Sequence, residues 1–394
     1  MTENNKQNDI NTQMNRAVSG RPMRSSQGRG AGRISRKKKP LHRVISEIFL
    51  KILAVILTFA LFAAAVLMIS LKMICSDSFP AAQRMFVTTI LETGQLKFLA
   101  SVFLDGDRIQ EIVDKNSMKK LDGEVDGDLI KVGSSGSIDV SAGNSSESEE
   151  IELHEVSSST FSGKLLVVKD PSRISLATIY PWREEGVTLD ELANRAGAVA
   201  AINGGLYNSY NNSGGSPYGV IVSGGEIQMN EPQQFPGLVL IGFTEDNILR
   251  IIDVSEMTSS DVENLVSEMK IRDAVTFQEE SSDVNNHFVQ LIINNEVREM
   301  NGMGSGLNPR TAIGQRADGA VLLLVTDGRG KAGHLGASAS DLIGVMLEYG
   351  AVNAANLDGG SSSCMYYNGE YLMTSVTFYY SNSSWKLPAG FVVK

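Results

Sequence analysis

The chain has 394 residues, enough for one large domain or two modest ones, of which 42% are hydrophobic and 20% charged. Its net charge of −10 is unevenly laid out: residues 1–51 hold twelve Lys/Arg against three acids, a balance of +9, so the remainder carries −19. Two cysteines, Cys75 and Cys364, give no disulfide framework.

Residues 1–40 lack apolar periodicity and are rich in Asn, Gln, Ser, Gly and Arg, so residues 1–50 read as a disordered, basic, cytoplasmic tail. The cluster Arg36–Lys39 stands just before an apolar segment, which favours a membrane reading over a nucleic-acid one. Ile52–Ile69 is apolar apart from Thr58, and with its flanks reaches the ~20 residues that span a bilayer. A transmembrane helix over 51–72, inserted through 52–71, is expected. The positive charge before it sets the N-terminus inside. A cleaved signal peptide is the rival reading; the long basic region and long apolar core speak for an anchor.

Residues 73–118 have helical periodicity (Phe86, Ile90, Leu91, then Leu96, Leu99, Val102, Phe103) and read as a membrane-proximal stalk or self-association segment. Residues 119–151 are acidic, rich in Ser and Gly, and low in apolar content, as a solvated linker is. From 152 to 394 the pattern is that of a folded domain. Strands are expected at Lys164–Val168, Arg173–Tyr180, Ala198–Ile202, Gly219–Val222, Leu238–Ile241, Leu249–Ile252 and Phe288–Ile293, with a short helix over Thr188–Arg195. Strands dominate, which predicts an α+β fold: a mixed sheet with helices packed against it.

The chemistry concentrates between Asn308 and Ser363. Val321–Val325 is a short β-prone run ending in Thr326-Asp327-Gly328-Arg329. Leu342, Val345, Met346 and Tyr349 mark one helix face, capped by Ser338 or Ser340 and stopped at Gly350. Ala351–Leu357 is a second strand, ending in Asp358-Gly359-Gly360-Ser361. Strand, helix, strand predicts a βαβ unit that sets Asp327 and Asp358 as neighbours on the sheet edge where ligands bind. Either Asp-Gly alone is an ordinary strand-ending turn. Together, with Arg329, they are the expected acid/base pair.

Asn-Pro-Arg-Thr-Ala-Ile-Gly (308–314), Asp-Gly-Arg (327–329) and Leu-Asp-Gly-Gly-Ser-Ser (357–362), preceded by Asn203-Gly204-Gly205 and Tyr207, resemble the motifs of the phosphodiester glycosidase family over residues 155–394. The resemblance implies a hydrolase that opens the C1–O bond of a sugar-1-phosphodiester, of the N-acetylglucosamine-1-phosphodiester kind, in cell-surface glycan or exopolysaccharide. Arg310 and Arg329 are the expected phosphate holders, because a guanidinium fork matches phosphate oxygens. In the same reading Thr311 lines the site, Asn203 binds hydroxyls and Tyr207 packs on a sugar ring. Gly359, Gly360 and Ser361 bring backbone N–H groups close to an oxyanion or sugar hydroxyl, and Gly204 and Gly205 of the upstream motif also bind substrate. Asp341 stands where the family pattern suggests Glu, and its role is open.

There is no Walker A run, GxGxxG, HExxH or zinc-spaced Cys/His set, and no histidine has a triad context. No cofactor is required by the sequence; Ca²⁺ or Mg²⁺ on Asp327 or Asp358 is left open. A non-catalytic glycan-binding or export-assembly component is the alternative function, and a membrane-tethered scaffold a third. Oligomerisation through the stalk is a further expectation.

Overall fold

The computed structural model describes residues 40–93, 96–133, 150–376 and 382–394. Most of the basic tail and the stretch 134–149 of the expected linker lie outside the described residues. The chain divides into two bodies, 1–64 and 65–394. In the first, the described residues open the helix Leu41–Ile74, whose 34 residues measure roughly 50 Å. None of its side chains is buried, and by length and composition it suits a membrane span or a signal sequence.

Among the described residues the second body has three large antiparallel sheets and a two-stranded ribbon, Glu280–Ser281 with Asn286–His287. The largest has seven strands in the order Ile151–Ser157, Ser162–Val168, Val321–Thr326, Thr311–Arg316, Ala351–Asn356, Gln290–Ile293 and Glu296–Val297. Both of its faces are covered, so its central strands are continuous apolar runs rather than alternating ones. Leu166, Val168, Val321, Leu323 and Val325 point into the main core, while Leu165, Val167, Leu322 and Leu324 point to the opposite face. Each such fully buried side chain contributes roughly 1.5–3 kcal/mol. The helix Ala339–Glu348 covers that opposite face with Leu342 and Met346.

The expected βαβ unit is present in a split form. Val321–Thr326 and Ala351–Asn356 are each antiparallel to Thr311–Arg316 and therefore parallel to each other, with that strand between them. The last four residues of the Asn308–Gly314 motif thus open a central strand. Small residues hide its pattern: a Cβ on Gly314 would meet Met346 Sδ at 2.9 Å, so glycine lets the helix sit down on the sheet. The inserted strand also spaces the two aspartate-bearing strand ends about 9–10 Å apart, twice the usual strand separation.

A five-stranded sheet (Glu370–Met373, Met365–Tyr367, Ala200–Asn203, Ala389–Val393, Ile174–Thr178) and another (Glu226–Asn230, Val220–Ser223, Ile271–Gln278, Leu238–Thr244, Leu249–Asp253) share the main core through Ile202, Phe391, Val275 and Ile241. The helices Leu189–Ala196 and Ser259–Glu268 close their outer faces. The fold is α+β, as the strand-rich sequence predicts.

Two segments behave differently from expectation. Residues 119–133 do not form a solvated linker: Leu121, Val125 and Ile130 are buried in the main core, and the Leu121 N–H donates to Gln290 Oε1 at 3.0 Å. Three well-spaced apolar side chains suffice to seat a stretch whose average composition is polar. The helices Pro80–Leu91, Phe98–Phe103 and Gly106–Asp114, expected as a stalk, have a small core of their own, with Val87, Leu91, Ile109 and Ile112 buried. The first of them also packs on the rest of the second body: a Cβ on Gly306 would lie 2.3 Å from Thr89 Cα.

Candidate active site

Asp358 follows the strand Ala351–Asn356 by two residues and is half-buried. Burial pushes its carboxyl up to about 7, while the Ser362 hydroxyl, the Gly359 N–H and the Arg329 guanidinium pull the other way. Its backbone is clamped. Asn203 Nδ2 donates to the Asp358 carbonyl at 2.6 Å, and Asn203 Oδ1 accepts from Thr311 Oγ1 at 2.7 Å and the Cys364 N–H at 3.2 Å. Asn203 and Thr311 are both buried and satisfied inside the protein. They hold the loop rather than offering groups to substrate hydroxyls. Tyr207, 5% exposed, lies within 3.0 Å of Ser362 Oγ through its hydroxyl, so its ring is no open platform for a sugar. Burial, then the Asp358 charge, raises its phenol well above the usual range. A Cβ on Gly205 would lie 2.3 Å from Thr276 O, so this glycine serves close sheet packing; Gly204 accepts the Asp358 N–H at 3.3 Å.

Arg329 sits in the loop after Val321–Thr326, with a left-handed backbone (φ 54°). The residue as a whole is exposed, but its guanidinium lies inward: Nη1 donates to Ser361 Oγ at 2.8 Å and Nε to Asn308 Oδ1 at 3.3 Å. Burial of that head, then the Arg310 charge, lowers its pKa to about 10, so it stays cationic near neutrality. Gly360 makes this placement feasible. Its φ is 63°, and a Cβ there would meet Arg329 Nη2 at 2.6 Å. The Gly360 N–H is already given to the Pro309 carbonyl, so it is not free for an oxyanion. Gly359, extended, approaches Pro309 O instead, and a Cβ on it would lie 3.1 Å away.

Arg310 departs from expectation. It is 5% exposed, its side chain stacks over Phe288 with Cζ 4.8 Å from the ring centroid, and Nε donates to the Ala337 carbonyl at 3.1 Å. Its Nη2 is ion-paired with Glu92, which follows the Pro80–Leu91 helix, and also donates to Gly306 O at 2.8 Å. A guanidinium neutralised in this way is a framework group. Among the described residues, Arg329 has no carboxylate at ion-pair distance.

Asp327 also differs from Asp358. Oδ1 accepts from the Ser162 N–H at 2.8 Å, and Oδ2 meets His334 Nδ1 at 2.7 Å. Both oxygens are engaged, and the residue is 5% exposed. Asp327 therefore orients a half-buried histidine that no sequence motif links to it. Asp341, of open role in the sequence, closes a capping box: it accepts from the Ser338 N–H at 2.8 Å while Ser338 Oγ accepts from the Asp341 N–H at 3.2 Å. Sequence reasoning missed Glu92, Asn308 as a link, and His334. Only Asn308 carried a signal, inside the 308–314 motif. Among the described residues, no group of three His, Cys, Asp or Glu side chains is placed to hold a metal ion.

Comparison with known proteins follows the same residues. In Bacillus subtilis (strain 168), the SPbeta prophage-derived uncharacterized protein YomE is 42% identical over 65 residues, 16% of this chain and 10% of that protein. The chain thus spans about a tenth of that relative's length. Among solved structures, the catalytic domain of zebrafish N-acetylglucosamine-1-phosphodiester alpha-N-acetylglucosaminidase, auto-inhibited by its pro-peptide, is 17% identical, covering 62% of this chain and 81% of that one at a TM-score of 0.47. A hypothetical protein from Synechocystis is 17% identical over 62% of each chain at a TM-score of 0.38. Such likenesses say nothing about chemistry. The model of the phosphodiester glycosidase family matches residues 196–394, just over half of the chain, and takes in Asn203, Arg329, Asp358 and Ser361. The chain belongs to the phosphodiester glycosidase family.

Proposed function

We propose that the protein is a membrane-anchored, extracytoplasmic hydrolase that cleaves the C1–O bond of a sugar-1-phosphodiester, of the N-acetylglucosamine-1-phosphodiester kind, in cell-surface glycan or exopolysaccharide. The observation that carries this reading is Asp358, a carboxyl raised to about 7, close enough to feel the charge of an Arg329 guanidinium held over Gly360 and Ser361. A phosphodiester anion suits Arg329, and a phosphate is already a good leaving group, so neutralising its charge supplies much of the help it needs. The ionised Asp358 then supports the oxocarbenium-like centre or directs water to it. Asp327 acts one step back, by fixing the tautomer and orientation of His334. Family membership supports glycosidase-type chemistry. The +9 segment before the apolar helix supports an inside N-terminus and a C-terminal body outside.

The purified full chain, incubated with a panel of sugar-1-phosphodiesters differing in sugar and in the alcohol beyond the phosphate, should release free sugar from a subset. Tight binding without turnover across the panel, with and without Ca²⁺ or Mg²⁺, would instead identify a glycan-binding component. Orientation is tested separately. Protease added to intact cells should digest the C-terminal body and spare the N-terminal tail, and the reverse pattern would overturn the topology.

A further inference from the structure

We infer that Glu92, outside the family-matched region and following the membrane-proximal helix Pro80–Leu91, is a positioning residue of the site that sets Arg329 through the side chain of Asn308. Its side chain is 2% exposed. One oxygen, Oε1, accepts from the Gly306 N–H at 2.8 Å and from Asn286 Nδ2 at 3.1 Å. The other, Oε2, pairs with Arg310 and accepts from Asn308 Nδ2 at 2.9 Å.

An ionised carboxylate only accepts, so it fixes which end of the Asn308 amide faces it. Nδ2 must turn toward Glu92, where the Thr89 carbonyl also lies 3.4 Å away. Oδ1 is thereby turned to Arg329 Nε, at 3.3 Å, and the same guanidinium reaches Ser361. The relay runs from the membrane-proximal helix to the group beside Asp358 in two side chains. It also explains why Arg310, within the family's motif, is no phosphate holder here. Arg310 offsets the buried charge that orients Asn308, and Arg329 alone is presented to the anion. The inference rests on the reading of Arg329 as the phosphate-facing group.

Glu92→Gln tests it. A glutamine oxygen can keep the Gly306 and Asn286 bonds, but its NH₂ then faces Asn308 Nδ2, donor against donor. Asn308 relieves this by flipping, which points Nδ2 at Arg329 Nε and releases the guanidinium. In crystals of the full chain, the E92Q variant should show Arg329 withdrawn from Ser361. With a hydrolysed diester, KM should rise about tenfold, and the acid limb of kcat/KM should move upward, because the guanidinium beside Asp358 no longer favours its ionised form. A loss of folding alone would lower the active fraction without moving that limb. Asn308→Ala leaves the Glu92–Arg310 pair in place and should shift the limb in the same direction, so it serves if E92Q does not fold. The double variant should add little to either single one. Arg329 still on Ser361 in the E92Q crystals, or an unmoved limb in both variants, overturns the inference. If the unmodified chain releases sugar from no diester, the proposed function fails while the crystal comparison still decides the role of Glu92.

Discussion

Two strands of one sheet end in the same dipeptide, Asp-Gly, and the two ends carry different chemistry. Asp358 sits in a half-buried pocket with hydroxyl, amide and guanidinium neighbours, and its carboxyl is raised to about 7. Asp327, across the width of one strand, has both oxygens committed to Ser162 and His334. The sequence around each is alike, so the difference comes from what the rest of the chain packs against it. A carboxyl left mainly to burial becomes a proton-exchanging group, whereas one given a backbone donor and a histidine becomes a holder of other groups.

The comparison predicts unequal mutational effects. Asp358→Asn should cost the most, about a thousandfold or more in kcat, since the proposed mechanism uses that carboxylate at the reacting carbon. In the unmodified protein, kcat/KM should fall as pH is lowered through about 7, as protonation removes the carboxylate. Stability runs the opposite way. A carboxyl raised in the folded state binds its proton more tightly there than in the unfolded chain, so its stabilising contribution is present below the ordinary carboxyl range and lost as pH rises toward 7. The D358N variant should therefore melt higher than the unmodified chain at about pH 8, with the gap narrowing on acidification and closing only below about pH 4. A gap that widened on acidification would contradict the assignment.

Gly360→Ala should come next. The new Cβ collides with Arg329 Nη2 and sits at φ 63°, so KM for a diester should rise roughly tenfold, with a backbone cost of about 1–2 kcal/mol in stability. An unchanged KM would detach Arg329 from phosphate recognition. Asp327→Asn should cost less than D358N in kcat, about ten- to a hundredfold, because its amide oxygen can still take the Ser162 N–H while its NH₂ favours the other tautomer of His334. Equal losses in the two aspartate variants would collapse the distinction between the strand ends. The smallest effect belongs to Ser338→Ala, which removes one half of the capping box. A loss of about 1 kcal/mol in thermal or denaturant unfolding, with kcat intact, is expected.

These contrasts show where the sequence was legible. Short apolar runs that end in Asp-Gly, the 342–349 helix face and the Gly350 stop (φ 80°) are local patterns, and each element formed where local chemistry placed it. The Thr311–Arg316 strand was hidden by its small residues, and with it the gap between the aspartates. The Glu92–Arg310 pair joins residues 218 positions apart, and no periodicity announces a single buried carboxylate. Residues 119–133 misled in the opposite sense, because three buried side chains outweigh a polar average.

The central claim is that the bond broken lies on the sugar side of the bridging oxygen. A phosphodiesterase would open P–O, and a glycosidase opens C1–O with the arrangement of Arg329 and Asp358 described above. Hydrolysis of a sugar-1-phosphodiester in ¹⁸O-labelled water, with mass analysis of both products, separates the two. The label should appear in the free sugar and be absent from the phosphomonoester; label in the phosphate would contradict the account.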